Sequence, residues 1–167
     1  MKEDITWWRF DNAVDSKTCN KIIKLAEKQW ETATTKGKNA KEKRKTNISW
    51  TSEQWIYDLV FSYMTSANTQ AGWDFEVDAA EEMQIGKYSK GCFYDYHQDG
   101  KLSMSILLNE DYEGGDFKFY DDEEIALKGK AKGSILVFPS YMQHCVEEVT
   151  KGNRYSLVVW FLGPKFR

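Results

Sequence analysis

The pattern of apolar and polar positions divides the chain into a helical N-terminal part and a strand-rich C-terminal part. Ile5–Phe10 is typical of a short first strand. Asp15 or Ser16 can then cap a helix, because either side chain accepts a free backbone N–H. The helix is expected to continue to about Trp30, since apolar residues recur at helical spacing over Cys19, Ile22, Ile23, Ala26 and Trp30.

A second helix is predicted after a polar segment. Residues 34–47 are rich in lysine, which is typical of a solvated, mobile loop. Thr51-x-x-Gln54 has the spacing of a capping box, and the helix that it opens is expected to end near Ala67. The apolar side that this helix should bury comprises Trp55, Leu59, Tyr63 and Met64.

Short alternating runs separated by turn residues follow from Phe75 onward. The predicted strands are Phe75–Val77, Glu82–Lys87, Phe93–His97, Leu102–Leu108, Asp116–Tyr120, Glu124–Leu127, Ser134–Phe138, His144–Val149 and Arg154–Leu162. Helices first and antiparallel strands afterwards predict a mainly β fold with N-terminal helices, namely a double-sheet jelly roll with the helices packed on one sheet. We expect one domain over residues 1–167, with a helical support region at 1–74 and a jelly-roll core at 75–167.

Composition narrows the classes of function. A hydrophobic share of 41% indicates a packed globule, and a formal net charge of −3 does not favour a nucleic-acid partner. No apolar run is long enough to span a membrane, and the N-terminus does not resemble a signal peptide. Three scattered cysteines without CxxC spacing fit a reducing compartment, so a cytoplasmic location is expected. The sequence predicts no oligomeric state.

Two histidines and one aspartate form a candidate metal site. His97 and Asp99 lie at strand spacing, so they face the same way with one residue between them. His144 is the only other histidine and falls on a later predicted strand. Two histidines and one carboxylate with open metal positions are the ligands of non-haem Fe(II) oxygenases, whereas zinc sites often use cysteine. One histidine in a strand is more often a packed residue, so the hypothesis depends on the whole set.

The last predicted strand begins with a cation. Arg154, Ser156, Val158 and Trp160 share one of its faces. An arginine on an otherwise apolar strand is costly unless it meets an anion. Its guanidinium can bind a carboxylate through two hydrogen bonds, and Ser156 can add a third. On spacing alone, a salt bridge to a surface glutamate is an equal alternative.

The C-terminal half carries a set of motifs from Met83 to Gly163. An HxD pair at His97 and Asp99 is followed by a second histidine, and Arg154 comes about ten residues after that histidine. The further motifs are Tyr88, Leu107–Asn109, Glu113–Asp116, Gly133–Ser140, Val146, Val149–Ser156 and Trp160–Phe161. Together they resemble the Fe(II)/2-oxoglutarate-dependent dioxygenases of the prolyl 4-hydroxylase-like family.

The resemblance implies a fold, an activity and a cofactor set. The implied fold is the double-stranded β-helix, a form of jelly roll. His97, Asp99 and His144 would bind Fe(II), and Arg154 with Ser156 would bind the distal carboxylate of 2-oxoglutarate. The implied reaction hydroxylates an unactivated C–H group, above all in a prolyl residue of a peptide or protein, with O2 consumed and succinate and CO2 released. Ascorbate would be an accessory reductant.

The resemblance also assigns residues around the implied iron. Tyr88 matches a tyrosine that lines the co-substrate pocket. Tyr94 and Trp160 match positions on the substrate side, although ordinary aromatic core is an equal alternative for both. Leu107 departs from the pattern, because some members place there a tyrosine that helps to bind the distal carboxylate. Ser103 is a candidate replacement for that contact.

Two other functions stay open on the sequence alone. The chain can be a non-catalytic jelly-roll module that binds a metal or a carboxylate ligand, although such a module needs no complete set of this kind. It can also be an oxygenase that acts on a small molecule or a nucleobase. The basic segment at 36–45 and the acidic run Asp121–Glu124 can flank a substrate groove, but solvated surface is the favoured interpretation.

Overall fold

The computed structural model describes residues 5–27, 29–33, 44–91, 93–97, 101–121, 123–126 and 131–164, and these contain two helices and fourteen strands. The helices are α1 (Ser16–Ala26) and α2 (Gln54–Gln70). The strands in chain order are β1 (Trp8–Phe10), β2 (Glu31–Ala33), β3 (Arg44–Thr51), β4 (Ala79–Ala80), β5 (Met83–Tyr88), β6 (Phe93–His97), β7 (Leu102–Leu107), β8 (Tyr112–Gly114), β9 (Phe117–Asp121), β10 (Glu123–Ala126), β11 (Ile135–Pro139), β12 (His144–Val146), β13 (Val149–Gly152) and β14 (Arg154–Leu162).

The major sheet has the strand order β1-β11-β7-β14-β5-β3, and all of these neighbours are antiparallel. Strand β14 lies in its middle, because Arg154–Val158 pair with β5 and Ser156–Phe161 pair with β7. Strand β2 pairs with β3, and β4 pairs with the end of β14. The longest strand of the fold therefore has a hydrogen-bonded neighbour on both sides.

A minor sheet contains β6, β12, β9 and β10 in that order. Strand β3 joins the two sheets, since Arg44 and Lys45 pair with β6 whereas Asn47–Thr51 pair with β5. A strand that is shared in this way turns the corner between two packed sheets. Strands β8 and β13 form a separate two-stranded pair. The predicted jelly roll is confirmed.

Both helices pack on the outer face of the major sheet and enclose the main core there. In the described part of the chain, neither helix is long and apolar enough to cross a membrane. Strand β14 contributes Leu157, Val159 and Phe161 to this core. The helices contribute Cys19, Ile22, Ala26, Ile56, Val60, Met64 and Ala67. Because successive side chains of β14 point to opposite faces, its other face borders the space between the two sheets.

Helix α1 begins as predicted and ends earlier than predicted. The carboxylate of Asp15 caps it by accepting a hydrogen bond from the backbone N–H of Thr18 at 2.7 Å. The helix ends at Ala26 rather than near Trp30, because the chain must become extended for residues 31–33 to pair with β3. Trp30 nevertheless packs against the core, which explains its place in the apolar pattern.

The predicted loop at 34–47 is wrong for residues 44–47, which lie in β3, whereas residues 34–43 lie outside the described residues. The sequence pattern missed β3 because three of the residues that it buries are polar, namely Thr46, Ser49 and Thr51. The Thr46 hydroxyl donates a hydrogen bond to the carbonyl of Lys87 in β5 at 3.0 Å. Pairing with neighbouring strands, rather than an apolar period, therefore establishes this strand.

The capping box predicted for the second helix is also wrong. Gln54 is the first helical residue, and Glu53 takes the N-cap position without a side-chain bond. Thr51 ends β3, and its hydroxyl oxygen accepts a hydrogen bond from the N–H of Glu53 at 3.4 Å. The buried residues of α2 are Ile56, Val60, Met64 and Ala67. The prediction is confirmed for Met64, whereas Trp55, Leu59 and Tyr63 each lie one position before a buried residue.

Smaller differences concern the strands. Phe75–Val77 is not a strand, whereas the unpredicted β4 pairs with β14. The run predicted as one strand over His144–Val149 is divided between β12 and β13, and β8 was not predicted. The region predicted as helical support also supplies β1, β2 and β3 to the major sheet.

Gly133 joins the start of α1 to the strands. Its carbonyl accepts hydrogen bonds from the N–H groups of Ala13 and Val14 at 3.1 and 3.0 Å, and its own N–H donates to the carbonyl of Leu107 at 2.7 Å. Its φ of +84° is a left-handed conformation, and a Cβ there would overlap the carbonyl oxygen of Val14. A side chain is therefore excluded by both the backbone conformation and the space.

We expect Gly133→Ala to lower the free energy of unfolding by about 3 kcal/mol or more, because strain and steric overlap add. Gly72→Ala is the matched control, since Gly72 has a φ of +72° but nothing within 4 Å of a Cβ. The control should lose only about 1–2 kcal/mol. Urea unfolding of the three proteins measures both losses, and equal losses would contradict the role given to the contact with Val14.

Candidate active site

A cavity between the two sheets brings five of the sequence-predicted site residues together. This central cavity encloses about 440 Å³, part of which is open to solvent. Its walls come from β5, β7, β11 and β14 of the major sheet and from β9 and β12 of the minor sheet. The predicted site residues in its wall are Tyr88, His144, Arg154, Ser156 and Trp160.

His144 is held in one orientation by its surroundings. It is 5% exposed, and its Nδ1 lies 2.9 Å from the carbonyl oxygen of Met142. A carbonyl only accepts hydrogen bonds, so Nδ1 carries the proton and Nε2 has the lone pair that a metal requires. The ring stacks on Phe117 at 5.5 Å and meets the edge of Phe138 at 4.7 Å between centroids. These contacts orient the imidazole before any metal binds.

The backbone places His97 directly across from His144. The two residues are register partners in the antiparallel pair of β6 and β12. Register partners in such a pair lie on the same face of the sheet, with Cβ atoms about 5 Å apart. The side chain of His97 and the whole of Asp99 lie outside the described residues, so the three-ligand set stays a prediction. The described side chains alone contain no group of three potential metal ligands.

Arg154 is a buried cation at the start of β14. It is 4% exposed, and its Nε has no hydrogen-bond partner among the described residues. Its guanidinium lies 5.6 Å from the ring centre of Tyr88, which is its register partner on β5. It also donates a hydrogen bond to the hydroxyl of Tyr112. The ring and the hydroxyl cannot neutralise the charge, so the site favours an anion at the guanidinium.

Tyr112 is a site residue that the sequence analysis missed. It is 8% exposed and begins β8, a short strand that the sequence did not predict. The adjoining glycine pair, Gly114-Gly115, is the feature of the sequence that could have indicated a close approach of another segment here. Gly115 has a φ of +62°, and a Cβ there would lie 3.1 Å from Cδ of Arg154. Glycine is therefore needed for β8 to approach the arginine.

Of the other predicted site residues, two line the central cavity, and the third is described only in its backbone. Ser156 is 2% exposed and lines the central cavity beside Arg154. Trp160 also lines the cavity, and its buried indole N–H has no acceptor in the described part of the chain. Tyr94 pairs through its backbone with Val146, but its side chain lies outside the described residues.

Ser103 and Leu107 lie on the same face of β7, at different depths. Ser103 lines the central cavity, where its hydroxyl is hydrogen-bonded to that of Ser140 at 2.8 Å. Leu107 lines an adjoining cavity on the other side of Arg154. The hydroxyl that contacts the guanidinium belongs to Tyr112. Leu107 cannot donate a hydrogen bond to the distal carboxylate of 2-oxoglutarate, and Ser103 stays a candidate for that contact.

Residues 83–162 match the family model described as the 2OG-Fe(II) oxygenase superfamily. Among curated proteins, a PKHD-type hydroxylase of Synechococcus sp. is 35% identical over 91 residues, which cover 46% of this chain and 40% of that protein. A PKHD-type hydroxylase of Idiomarina loihiensis is 29% identical over 86 residues, covering 46% of this chain and 39% of that protein. The chain spans about 40% of the length of these curated relatives.

Solved structures resemble the chain over nearly its whole length. A prolyl-4-hydroxylase of Pseudomonas putida superposes with a TM-score of 0.77 at 19% identity, covering 95% of this chain and 93% of that one. A prolyl hydroxylase of Trichoplax adhaerens, in complex with a peptide fragment of the hypoxia inducible factor oxygen degradation domain, gives 0.76 at 18% identity and covers 94% and 83%. These similarities confirm the double-stranded β-helix.

The pKa of Tyr112 gives a test of this part of the site. Burial raises it above the ordinary value of 10.0, although the guanidinium of Arg154 and its hydrogen bond lower it in part. The folded protein thus keeps this proton at a pH where the unfolded chain has lost it. The resulting stability is present below the ordinary pKa and is lost as the pH rises through the raised one.

We expect the free energy of unfolding of the wild type to fall between about pH 9 and 11 more steeply than that of Tyr112→Phe. Tyr141→Phe is the control, because Tyr141 is 59% exposed. It should keep the wild-type slope. Urea unfolding at a series of alkaline pH values measures the slopes. Identical slopes for wild type and Tyr112→Phe would show that the burial of this hydroxyl does not affect its titration.

Proposed function

We propose that the chain is a 2-oxoglutarate-dependent dioxygenase that hydroxylates an unactivated C–H group of a peptide or protein, because residues 83–162 match the model of the 2OG-Fe(II) oxygenase superfamily. A match to this superfamily model implies Fe(II), 2-oxoglutarate and O2. The favoured target is a prolyl residue, as in the prolyl hydroxylases whose fold this chain shares. The products would be the hydroxylated residue, succinate and CO2.

One observation supports this proposal above the others. Arg154 and His144 line the same cavity from opposite sheets, and the Nε of the buried guanidinium has no hydrogen-bond partner among the described residues. A small dicarboxylate between them would present one end to the arginine and its other end to a metal at the histidine. A module that only binds a metal has no need of the buried cation.

The residues present fit an iron ion. The Nδ1–H of His144 donates to the carbonyl of Met142, so Nε2 can bind a metal without any change of tautomer. His97 is the register partner of His144 and would supply the second imidazole, and Asp99 the carboxylate. Fe(II) held by these three residues would supply the activation of O2 that hydroxylation of an unactivated C–H group requires.

The chain's own groups bind and orient the co-substrate. Arg154 would hold the distal carboxylate through two charge-assisted hydrogen bonds, with the hydroxyl of Ser156 as a third donor. The ring of Tyr88 lies against the guanidinium and lines the cavity beside it. The rings of Phe117 and Phe138 pack against His144, and with co-substrate bound they would exclude water on this side, which would strengthen the electrostatic contacts.

The substrate is proposed to approach along Trp160 and Tyr94. The indole N–H of Trp160 is buried, no described residue accepts a hydrogen bond from it, and it can donate one to a substrate carbonyl. Tyr94 lies on β6 near the backbone of His97, the second proposed imidazole ligand. A peptide substrate is consistent with the Trichoplax adhaerens structure, which contains a peptide fragment.

The decisive experiment measures succinate formation by anaerobically purified protein given Fe(II), ascorbate, 2-oxoglutarate and air. Proline-rich peptides are added in parallel, and hydroxylation is read by the mass gain of the peptide. Succinate above the level of the His97→Ala variant, with a peptide that stimulates it, is the expected result. If neither succinate nor a spectral change on anaerobic addition of Fe(II) and 2-oxoglutarate is seen, the non-catalytic module becomes the better description.

We expect Arg154→Ala to raise the KM for 2-oxoglutarate roughly 10- to 150-fold, since a hydrogen-bonded charge contact is worth about 1.5–3 kcal/mol. Arg154→Lys should give a smaller rise, because lysine keeps the charge and loses the fork. Succinate formation at a series of 2-oxoglutarate concentrations measures both. An unchanged KM in the alanine variant would exclude Arg154 as the carboxylate partner.

We expect Asp99→Ala and His97→Ala to abolish turnover and to weaken Fe(II) binding, while the melting temperature of the metal-free protein changes little. Glu148→Ala is the matched control, because it removes an exposed carboxylate outside the cavity and should keep both properties. Anaerobic Fe(II) titration and thermal melting measure the two effects separately. Normal iron binding by Asp99→Ala would remove Asp99 from the ligand set.

A further inference from the structure

A second cavity lies behind Arg154. This rear cavity encloses about 530 Å³, part of which is open to solvent. It shares Ser105, Phe117 and Arg154 with the central cavity, so the two spaces adjoin at the arginine. Strand β14 carries this cation at its first residue, where β7 and β8 approach it. The guanidinium is thus part of the wall of both cavities.

The guanidinium has enough hydrogen-bond donors for a ligand from either side. It carries five N–H groups in a fixed planar arrangement. The hydroxyl of Tyr112 accepts one of them, and the Nε N–H has no partner in the described part of the chain. A bidentate carboxylate uses two donors. The arginine can therefore bind a carboxylate in the central cavity or one that reaches into the rear cavity.

Leu107 leaves the rear cavity open. Some proteins of the family that the sequence resembles have a tyrosine at this position, and that larger side chain would occupy space that Leu107 leaves free. The wall here is apolar over Leu107, Ile135 and Leu136, which suits a methylene chain. The charged groups of the rear cavity are two guanidinium groups and one carboxylate, from Arg9, Arg154 and Asp116.

We infer that the co-substrate pocket continues past Arg154 into the rear cavity, and that it takes 2-oxo dicarboxylic acids with one more methylene group than 2-oxoglutarate. This inference rests on the proposed function. The keto-acid end of such an acid would occupy the same place as that of 2-oxoglutarate. Its extra methylene group would lie against Leu107, and its distal carboxylate would meet the guanidinium of Arg154 near the hydroxyl of Tyr112.

The reaction with the longer acid balances as it does with 2-oxoglutarate. 2-Oxoadipate, O2 and the C–H substrate would give glutarate, CO2 and the alcohol. The bond between C1 and C2 of the oxo acid breaks, and C1 leaves as CO2. One oxygen atom of O2 enters the new carboxylate of glutarate, and the other enters the hydroxyl group of the product. The oxo acid and the C–H group each give up two electrons.

The test compares the binding of the two acids without turnover. Anaerobic protein loaded with Fe(II) is titrated with 2-oxoglutarate and with 2-oxoadipate, and binding is read from tryptophan fluorescence, because Trp160 lines the central cavity. One extra methylene group in a pocket of fixed length costs about 10- to 200-fold in discrimination. We expect the two dissociation constants to differ less than about tenfold in the wild type.

Leu107→Tyr provides the decisive variant, because its ring would fill the rear cavity. It should keep or improve the affinity for 2-oxoglutarate and weaken that for 2-oxoadipate by about tenfold or more. Leu107→Phe fills the space without a new hydroxyl and serves if the tyrosine variant does not fold. Leu25→Tyr is the matched control, since Leu25 is a half-buried leucine of α1 that lines neither cavity.

The possible results distinguish a failure of this inference from a failure of the proposed function. A protein that binds 2-oxoglutarate but discriminates against 2-oxoadipate more than about tenfold overturns this inference and leaves the proposed function intact. The inference is also overturned, with the proposed function intact, if neither Leu107 variant changes the ratio of the two dissociation constants. A protein that binds neither acid overturns the proposed function itself. Glutarate formation from 2-oxoadipate by the wild type, lost in Leu107→Tyr while succinate formation continues, would support the inference independently.

Discussion

The buried charge of Arg154 is the constraint on which the architecture of the site depends. A guanidinium that leaves water without a fixed anion costs several kcal/mol, so its surroundings must be built to accept it. The ring of Tyr88, the hydroxyl of Tyr112 and the close approach of Gly115 form those surroundings. Strands β5 and β8 and the residue after β8 thus converge on one side chain, and none of them could move away without exposing or isolating the charge.

Strand β14 connects this charge to the stability of the whole fold. Its odd-numbered residues from Leu157 to Phe161 belong to the core under the helices, whereas Arg154, Ser156, Val158 and Trp160 line the central cavity. One strand with perfect alternation therefore builds the core and the site at the same time. This is why its bounds and its two faces could be predicted from the sequence. The spacing from His144 to Arg154, in contrast, indicated a site only through the family resemblance, since on strand spacing alone a surface salt bridge was an equal alternative for Arg154.

Elements defined by tertiary pairing could not be predicted in this way. Strand β3 buries threonine and serine and is held by its neighbours β5 and β6, so no apolar period marks it. Tyr112 lies on a strand of three residues, too short for a periodic signal, and reaches Arg154 only because two glycines precede β9. The orientation of His144 depends on a carbonyl in a turn and on two rings from other strands. The spacing of residues along the sequence can identify His144 as a candidate ligand, but it does not show which contacts orient the imidazole ring.

The pairing of β1 with β11 affects how the chain can fold during its synthesis. Trp8 is paired with Val137, and the buried faces of α1 and α2 pack on strands that are made after them. The middle strand of the major sheet, β14, is also its last in chain order, so β5 and β7 have no common neighbour until Arg154–Leu162 has left the ribosome. Both helices therefore emerge with uncovered apolar surfaces, which chaperones bind. Folding of this domain is expected to be slow for its size, because most contacts between its described residues join parts of the chain that are distant in sequence.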